Sequence, residues 1–243
     1  MSDFNNKVVI VTGGGTGIGR AITEKFAENG AQVLITGRRE SPLQELSQSF
    51  PENVSILQAD LTKAEDRKQI IQTAIDRHGQ IDVLVNNAGI APVAPLQEST
   101  DEDFEQAYLT NLVAPASLMR EAIPHLGKSK GSIINISSIG ARAVLSGMSA
   151  YTCSKAALDH LTRTAAVELG PLGIRVNAVA PGMTETEMAE SSIEQMGEMM
   201  VSMTPLGRLG KPDDIARAVF LLASDDAGWV TGQILDASGG LML

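Results

Sequence analysis

The sequence predicts an α/β fold, a doubly wound parallel sheet of about seven strands in a single domain over residues 1–243. Three observations carry this. Short β-branched runs alternate with longer segments of helical spacing, the order that a βαβα chain needs. The apolar runs are continuous rather than alternating, so each strand is covered on both faces. The first strand also runs straight into a glycine-rich turn that opens the first helix. With 43% apolar residues but only 3% aromatic, the core is aliphatic.

The elements follow in order. Residues 7–12 (KVVIVT) read as a buried strand, and 17–29 as a helix with Ile18, Ala21, Ile22 and Phe26 near one face. Residues 32–36 form the second strand, 40–49 a helix and 53–58 the third strand. A helix over 63–78 leads to strand four at 82–85. Residues 101–126 read as one long helix, apolar nearly all round between Tyr108 and Met119, so both of its sides call for cover. Strand five spans 131–137, a helix 150–169 and strand six 174–180. A helix over 212–223, with Pro212 in its first turn, precedes a last short strand at 233–236. No linker, repeat or composition break divides the chain.

Composition excludes several classes. The formal net charge is −10 without a basic run, which argues against nucleic acid or an anionic membrane as partner. No apolar stretch approaches the ~20 residues that span a bilayer. The start, Met1-Ser2-Asp3-Phe4, has no basic leader region, and Cys153 is the single cysteine. Both fit a reducing, cytoplasmic setting. His78, His125 and His160 lie far apart, with no spacing for a metal, and read as helix-surface residues.

The chemistry-bearing residues gather after the strands. Thr12-Gly13-Gly14-Gly15-Thr16-Gly17-Ile18-Gly19 leaves strand one. Glycines allow a sharp turn and a close approach of pyrophosphate to the helix N-terminus, where free N–H groups attract it. Tyr151 and Lys155 stand four apart on one helical face. An ammonium beside a phenol favours the phenolate and lowers its ordinary value of ~10, which makes Tyr151 a proton donor or acceptor for a carbonyl or alcohol. Strand five ends at Ser137 and Ser138, on the sheet edge where open α/β sheets bind ligands. Either hydroxyl could hold a substrate oxygen, or make a simple turn. Asn111, a poor helix former inside a helix, reads on its own as a kink or a buried amide as well as a functional group.

Together these residues resemble the short-chain dehydrogenase/reductase family. The matches are TGGGTGIG, with glycines spaced G-x-x-x-G-x-G, Asp60-Leu61, Asn86-Asn87-Ala88-Gly89, Asn111, Ser138, Tyr151-x-x-x-Lys155 and Pro181-Gly182, across residues 5–243. The resemblance implies a Rossmann-type domain that moves a hydride between a nicotinamide and a ketone or secondary alcohol. It implies that Thr12, Gly13, Gly17, Ile18 and Gly19 hold the pyrophosphate side, that Asp60 and Leu61 border the adenine, and that Asn87 and Gly89 line the cleft. Pro181, Gly182, Thr184 and Thr186 would approach the nicotinamide amide. It selects Ser138, 13 residues before Tyr151, as the hydroxyl that steadies the substrate oxygen. Tyr151 would transfer the proton, Lys155 would bind the ribose and tune Tyr151, and Asn111 would hold a water linking Lys155 to solvent.

Gly37 stands where NAD-preferring members carry Asp, and Arg38 follows as in many NADP-preferring members. This implies NADP(H) as the preferred cofactor and NAD(H) as the second, although Arg38 and Arg39 also read as a charged turn. The family's other basic marker is absent, since Thr16 occupies its place. Residues 183–203 are implied to form a lid; Ile193, Met196, Met200 and Met203 share a face that suits a core-facing helix as well. The lid has glutamates at 185, 187, 190, 194 and 198 and no Lys or Arg. Leu172 occupies a position where reductases of acyl carrier protein often have Arg, with Lys128 and Lys130 left as basic contacts. A reductase of small neutral ketones, ketoesters or polyols therefore ranks first, and a 3-oxoacyl-[acyl-carrier-protein] reductase second. A non-catalytic NADP-binding sensor and a sugar-nucleotide epimerase or dehydratase are rivals of other kinds. The family pairs helices 101–126 and 150–169 across subunits, which implies a homotetramer.

Overall fold

The computed structural model describes residues 4–242. The leader reading, which leans on Met1, Ser2 and Asp3, lies outside the described residues. The chain runs β1 (Val8–Thr12), α1 (Gly17–Glu28), β2 (Gln32–Gly37), α2 (Glu40–Ser49), β3 (Val54–Gln58), α3 (Ala64–His78) and β4 (Val83–Asn86). It continues through α4 (Asp101–Tyr108), α5 (Ala114–Ser129), β5 (Ser132–Ile136), α6 (Ser149–Leu169) and β6 (Arg175–Pro181). Then come α7 (Glu190–Met203), α8 (Pro212–Ala223) and β7 (Ile234–Ala237). The seven strands form one parallel sheet in the order β3-β2-β1-β4-β5-β6-β7.

The two-sided cover explains the unbroken apolar strands. In β1, Val9 and Val11 join a core with Ile22 and Phe26 of α1 and Ile215 and Val219 of α8. Ile10, between them, joins the opposite core with Ile70 of α3, Leu118 of α5 and Ala165 of α6. The few aromatics are concentrated where α1 meets α8. The rings of Phe4 and Phe26 stand 4.9 Å apart, and those of Phe26 and Phe220 5.3 Å apart.

One expectation needs correction. Residues 101–126 are not one regular helix, because a wider π turn over Leu109–Val113 separates α4 from α5. There the Ala114 N–H reaches back five residues to the Leu109 carbonyl instead of four to Thr110. Within the single chain one side of this helix is left open. Val113 is 45% exposed, and Leu112, Val113 and Ala116 line an open groove with Ala157, His160 and Leu161 of α6.

The chain reaches one sheet edge at β3 and then crosses back to lay β4 on the other side of β1. The crevice of such a reversal opens beyond the carboxyl ends of the strands. Thr12, Asn86, Ile136 and Pro181 end their strands there. No helix among the described residues is long and apolar enough to cross a membrane.

Candidate active site

Thr12 ties the glycine turn to the loop after β4. Its Oγ1 accepts the N–H groups of Asn87 at 3.0 Å and Ala88 at 3.1 Å. Asn87 Nδ2 donates back to the carbonyls of Thr12 at 2.9 Å and Gly13 at 3.1 Å. Gly13 has φ +64 and Gly17 φ +52, a left-handed backbone that favours glycine. At Gly19 a β-carbon would lie 2.0 Å from the Gly13 carbonyl oxygen, so only glycine fits. Ile18, the residue between, packs its partly buried side chain on the α1–α8 core. The first turn of α1 has neither a side-chain cap from Thr16 nor an acidic residue. Its N–H groups are thus left for an anion, and a dinucleotide pyrophosphate fits this cradle.

At the next strand ends, Asp60 accepts from the Thr62 N–H at 3.0 Å and the Thr62 hydroxyl at 2.8 Å. Those bonds hold its carboxyl below the usual range, helped by Lys63 and Arg38 nearby. Leu61 is buried, and its carbonyl accepts from Arg67 at 2.6 Å. Arg38 is exposed beside them, its carbonyl bonded by Gln58 at 2.9 Å.

The four residues of the implied tetrad converge past β5 and β4. Lys155 is only 4% exposed, and its Nζ donates to the Ile136 carbonyl at 2.7 Å. Burial pulls its ammonium down to about 8, opposed in part by the Asp159 carboxylate. Tyr151 lies one turn earlier, its ring centroid 5.9 Å from Lys155 Nζ. Burial pushes the Tyr151 phenol up, and a hydrogen bond with the Ser138 side chain draws it part of the way back. This corrects the expectation that Lys155 lowers Tyr151. Desolvation of the phenol dominates, and Ser138, not Lys155, is the group that offsets it. Ser138 is held by the Gly140 N–H, which donates to its Oγ at 3.0 Å.

Asn111 is fully buried in the π turn. Its Nδ2 donates to the Ile90 carbonyl and to Ser154 Oγ, both at 2.9 Å, and its Oδ1 accepts the Ile90 N–H at 2.9 Å. Ser154 in turn donates to the Tyr151 carbonyl at 2.7 Å. Both amide hydrogens of Asn111 are therefore used within the protein, so its side chain clamps the loop after β4 to α6 and has no donor left for a water. Gly89 completes the cluster. A β-carbon there would lie 3.1 Å from Asn111 Oδ1 and 3.4 Å from Lys155 Nζ. Ser154 went unnoticed in the sequence, where its one signal was a small hydroxyl residue between Tyr151 and Lys155.

The segment implied to form a lid leaves β6 through Pro181 and Gly182, the latter pressed against Ser238. Thr184 is buried, donates to the Gly182 carbonyl at 3.0 Å and pairs with Gly210. Thr186 donates to the Thr184 carbonyl at 3.4 Å. In α7 only Met200 is buried, packed with Ile139, Leu241 and Met183. Met196 and Met203, expected to share its buried face, are exposed.

Basic residues are sparse beside the substrate side of the crevice. Arg142 is paired with Asp236, and Arg208 holds Asp214 through two bonds of 2.6 and 2.9 Å. Leu172, Lys128 and Lys130 precede β6 and β5 and so lie at the opposite, amino edge of the sheet. There Lys130 packs on Gly173 and Leu172 faces Gly127. The histidines sit on α3, α5 and α6, away from this cluster.

The chain is similar to known proteins along nearly its whole length. The family described as enoyl-(acyl carrier protein) reductase matches residues 13–242. A 3-oxoacyl-[acyl-carrier-protein] reductase of Thermotoga maritima is 37% identical over 99% of both chains. A short-chain dehydrogenase/reductase of Cladobotryum sp is 38% identical over 98% of this chain and 96% of its own. The crystal structure of a short-chain dehydrogenase/reductase, glucose/ribitol dehydrogenase, from Brucella melitensis superposes with a TM-score of 0.96. It has 34% identity and covers 100% of this chain and 99% of its own.

Proposed function

The chain belongs to the short-chain dehydrogenase/reductase family, and from that premise we propose that it reduces small neutral ketones, ketoesters or related carbonyls with NADPH. It is a nicotinamide-dependent oxidoreductase acting on carbonyl or CH–OH groups. The observation that carries the reading is the Ser138–Tyr151–Lys155 cluster at the sheet's carboxyl edge, beside a helix N-terminus left open for an anion. The bound nicotinamide supplies or accepts the hydride.

The protein's own residues do the rest. Ser138 and Tyr151 hold the carbonyl oxygen, and Tyr151, kept protonated by burial, gives it a proton as negative charge develops. Lys155, anchored on Ile136 and lying beside the Tyr151 ring, would present its charge to the ribose hydroxyls. Asn111 fixes the distance between the loop after β4 and α6, and so the spacing of the cluster. Thr12, Gly13, Gly17, Ile18, Gly19, Asn87 and Gly89 shape the pyrophosphate and cleft side. Asp60 and Leu61 would border the adenine, Pro181, Gly182, Thr184 and Thr186 would face the nicotinamide, and Arg38 would take a 2′-phosphate.

A second reading, 3-oxoacyl-[acyl-carrier-protein] reductase, is favoured by the Thermotoga relative's name. The charge pattern favours the first. A carrier protein is acidic, the lid is acidic, and Arg142 and Arg208 at the crevice are already paired. Comparing kcat/KM for a ketoacyl carrier protein with that for small neutral ketones tests this. Preference for the carrier substrate refutes it. The apolar groove between α5 and α6 supports association of copies, which we propose as a homotetramer, each chain one catalytic domain, with the cytoplasm as the proposed setting.

A further inference from the structure

The lid is fastened to the far bank of the crevice. Arg39, in the turn after β2, donates from Nη1 to Glu187 Oε1 at 3.1 Å and from Nη2 to Glu187 Oε2 at 2.8 Å. The two residues are 148 positions apart, one beside the adenosine end of the crevice and one in the lid. A neighbouring contact places the same stretch over the glycine turn, since a β-carbon on Gly17 would meet Thr186 Cγ2 at 3.3 Å. On its other side the lid is held by the sheet-like pairing of Thr184 with Gly210 and by the Glu185 N–H, which donates to the Gly210 carbonyl at 2.9 Å. Thr186 and Glu187 thus bridge the mouth through which a dinucleotide would enter.

The two arginines of this turn are in different states. Arg38 makes no side-chain hydrogen bond or ion pair among the described residues. Arg39 has both terminal nitrogens engaged in a fork-to-fork pair. A ribose 2′-phosphate is also a bidentate acceptor, and it repels a carboxylate placed beside it. A 2′-hydroxyl does neither.

We propose that Glu187 is a cofactor-specificity residue. Its carboxylate competes with a ribose 2′-phosphate for Arg39, so that a 2′-phosphorylated nucleotide unfastens the lid and a 2′-hydroxyl nucleotide leaves it strapped. This rests on the nicotinamide-nucleotide reading given above. It also deepens it, because Arg38 attracts the phosphate while Glu187 opposes it. The net preference for NADP(H) is smaller than two free arginines would produce. The pair is 60% and 63% exposed, so the effect is modest and weakens with salt.

The test uses nucleotides that fill only the adenosine end, adenosine 2′,5′-bisphosphate and 5′-AMP, with a Glu-specific protease as the probe of lid opening. The lid offers Glu185, Glu187, Glu190, Glu194 and Glu198 as cleavage points. In the wild type the bisphosphate should speed lid nicking roughly two- to five-fold, and 5′-AMP should not. Arg39→Gln should be nicked at the faster rate with no nucleotide, and the bisphosphate should add nothing. By calorimetry, Glu187→Gln should tighten the bisphosphate about two- to five-fold and leave 5′-AMP unchanged. Equal effects of the two nucleotides on nicking, an Arg39→Gln protein cut at the wild-type rate, or an unchanged bisphosphate affinity in Glu187→Gln each overturn the strap. If calorimetry finds that neither nucleotide binds, the nucleotide reading itself falls and the strap with it. If both bind and nicking does not distinguish them, the strap alone falls.

Discussion

At Tyr151 two influences oppose each other, burial raising the phenol and Ser138 lowering it. The balance leaves a protonated donor, which suits reduction. Tyr151→Phe should leave nucleotide binding nearly intact and lower kcat by about 10²–10⁴-fold, the usual worth of a positioned acid. Steady-state kinetics beside calorimetric titration checks it, and retention of more than about a tenth of kcat would remove Tyr151 from its role. The pH dependence belongs to Lys155. Its ammonium, held down to about 8 by burial, is charged below that pH and loses its proton above it. For reduction, kcat/KM should be flat below about 8 and fall as pH rises through it, since Tyr151 stays protonated over that range. A profile from acid to alkaline pH reads this directly, and a limb rising through the same range contradicts it. These residues were legible because spacing on one helical face survives folding. The direction of the Tyr151 shift was not, because spacing alone does not reveal how deeply the phenol is buried. Asn111→Ala should cost roughly 1–3 kcal/mol in a urea titration, because it leaves the partly buried N–H and C=O of Ile90 without their partner.

At the scale of elements, the strand and helix order follows from patterning, and α2 and α8 keep the limits that the sequence predicts. Continuous apolar strands mean two covers, and β1 divides Val9 and Val11 from Ile10 in that way. The break in the 101–126 helix was hidden for a physical reason. A π turn adds no residue type of its own, and the apolar run through Leu109, Leu112 and Val113 looks the same in either helix. Ile193, Met196, Met200 and Met203 share one apolar face of α7 by spacing, yet of these only Met200 is buried, since exposed methionines carry the same hydropathy as packed ones. Packing of α1 on α8 rests on the Phe26 side chain, which is fully buried among Phe4 and Phe220. Phe26→Ala should destabilise the fold by about 3–5 kcal/mol in denaturant unfolding. A loss under 1 kcal/mol would mean that the two helices are held by something other than this aromatic cluster.

For the whole molecule, the open groove between α5 and α6 is the feature that a single chain leaves unfinished. Leu112, Val113, Ala116, Ala157 and Leu161 line it, with Arg120 and His160 beside them. Burying such a face between copies excludes water from apolar surface that one chain leaves wet. Light scattering at micromolar concentration should report a tetramer, and Ala157→Glu, which places a charge in the groove, should shift it to smaller species. A wild-type monomer would contradict the proposed assembly.

The π turn connects these scales through rotation. Each residue of a regular helix turns the chain by about 100°, and the wide turn at Leu109–Val113 absorbs one residue beyond that count, since Ala114 bonds Leu109 five positions back. Asn111 lies inside that turn and faces Ile90 and Ser154, while Leu112, Val113 and Ala116, immediately after it, face the open groove. Deleting one residue of the turn would put Ala114 four positions after Leu109, restore a regular helix and leave α5 in phase with α4. What would be lost is the extra breadth that carries Asn111 to Ile90 and Ser154. The inward clamp and the outward face are therefore separable, and a shortened turn should give up the clamp while the groove keeps its lining.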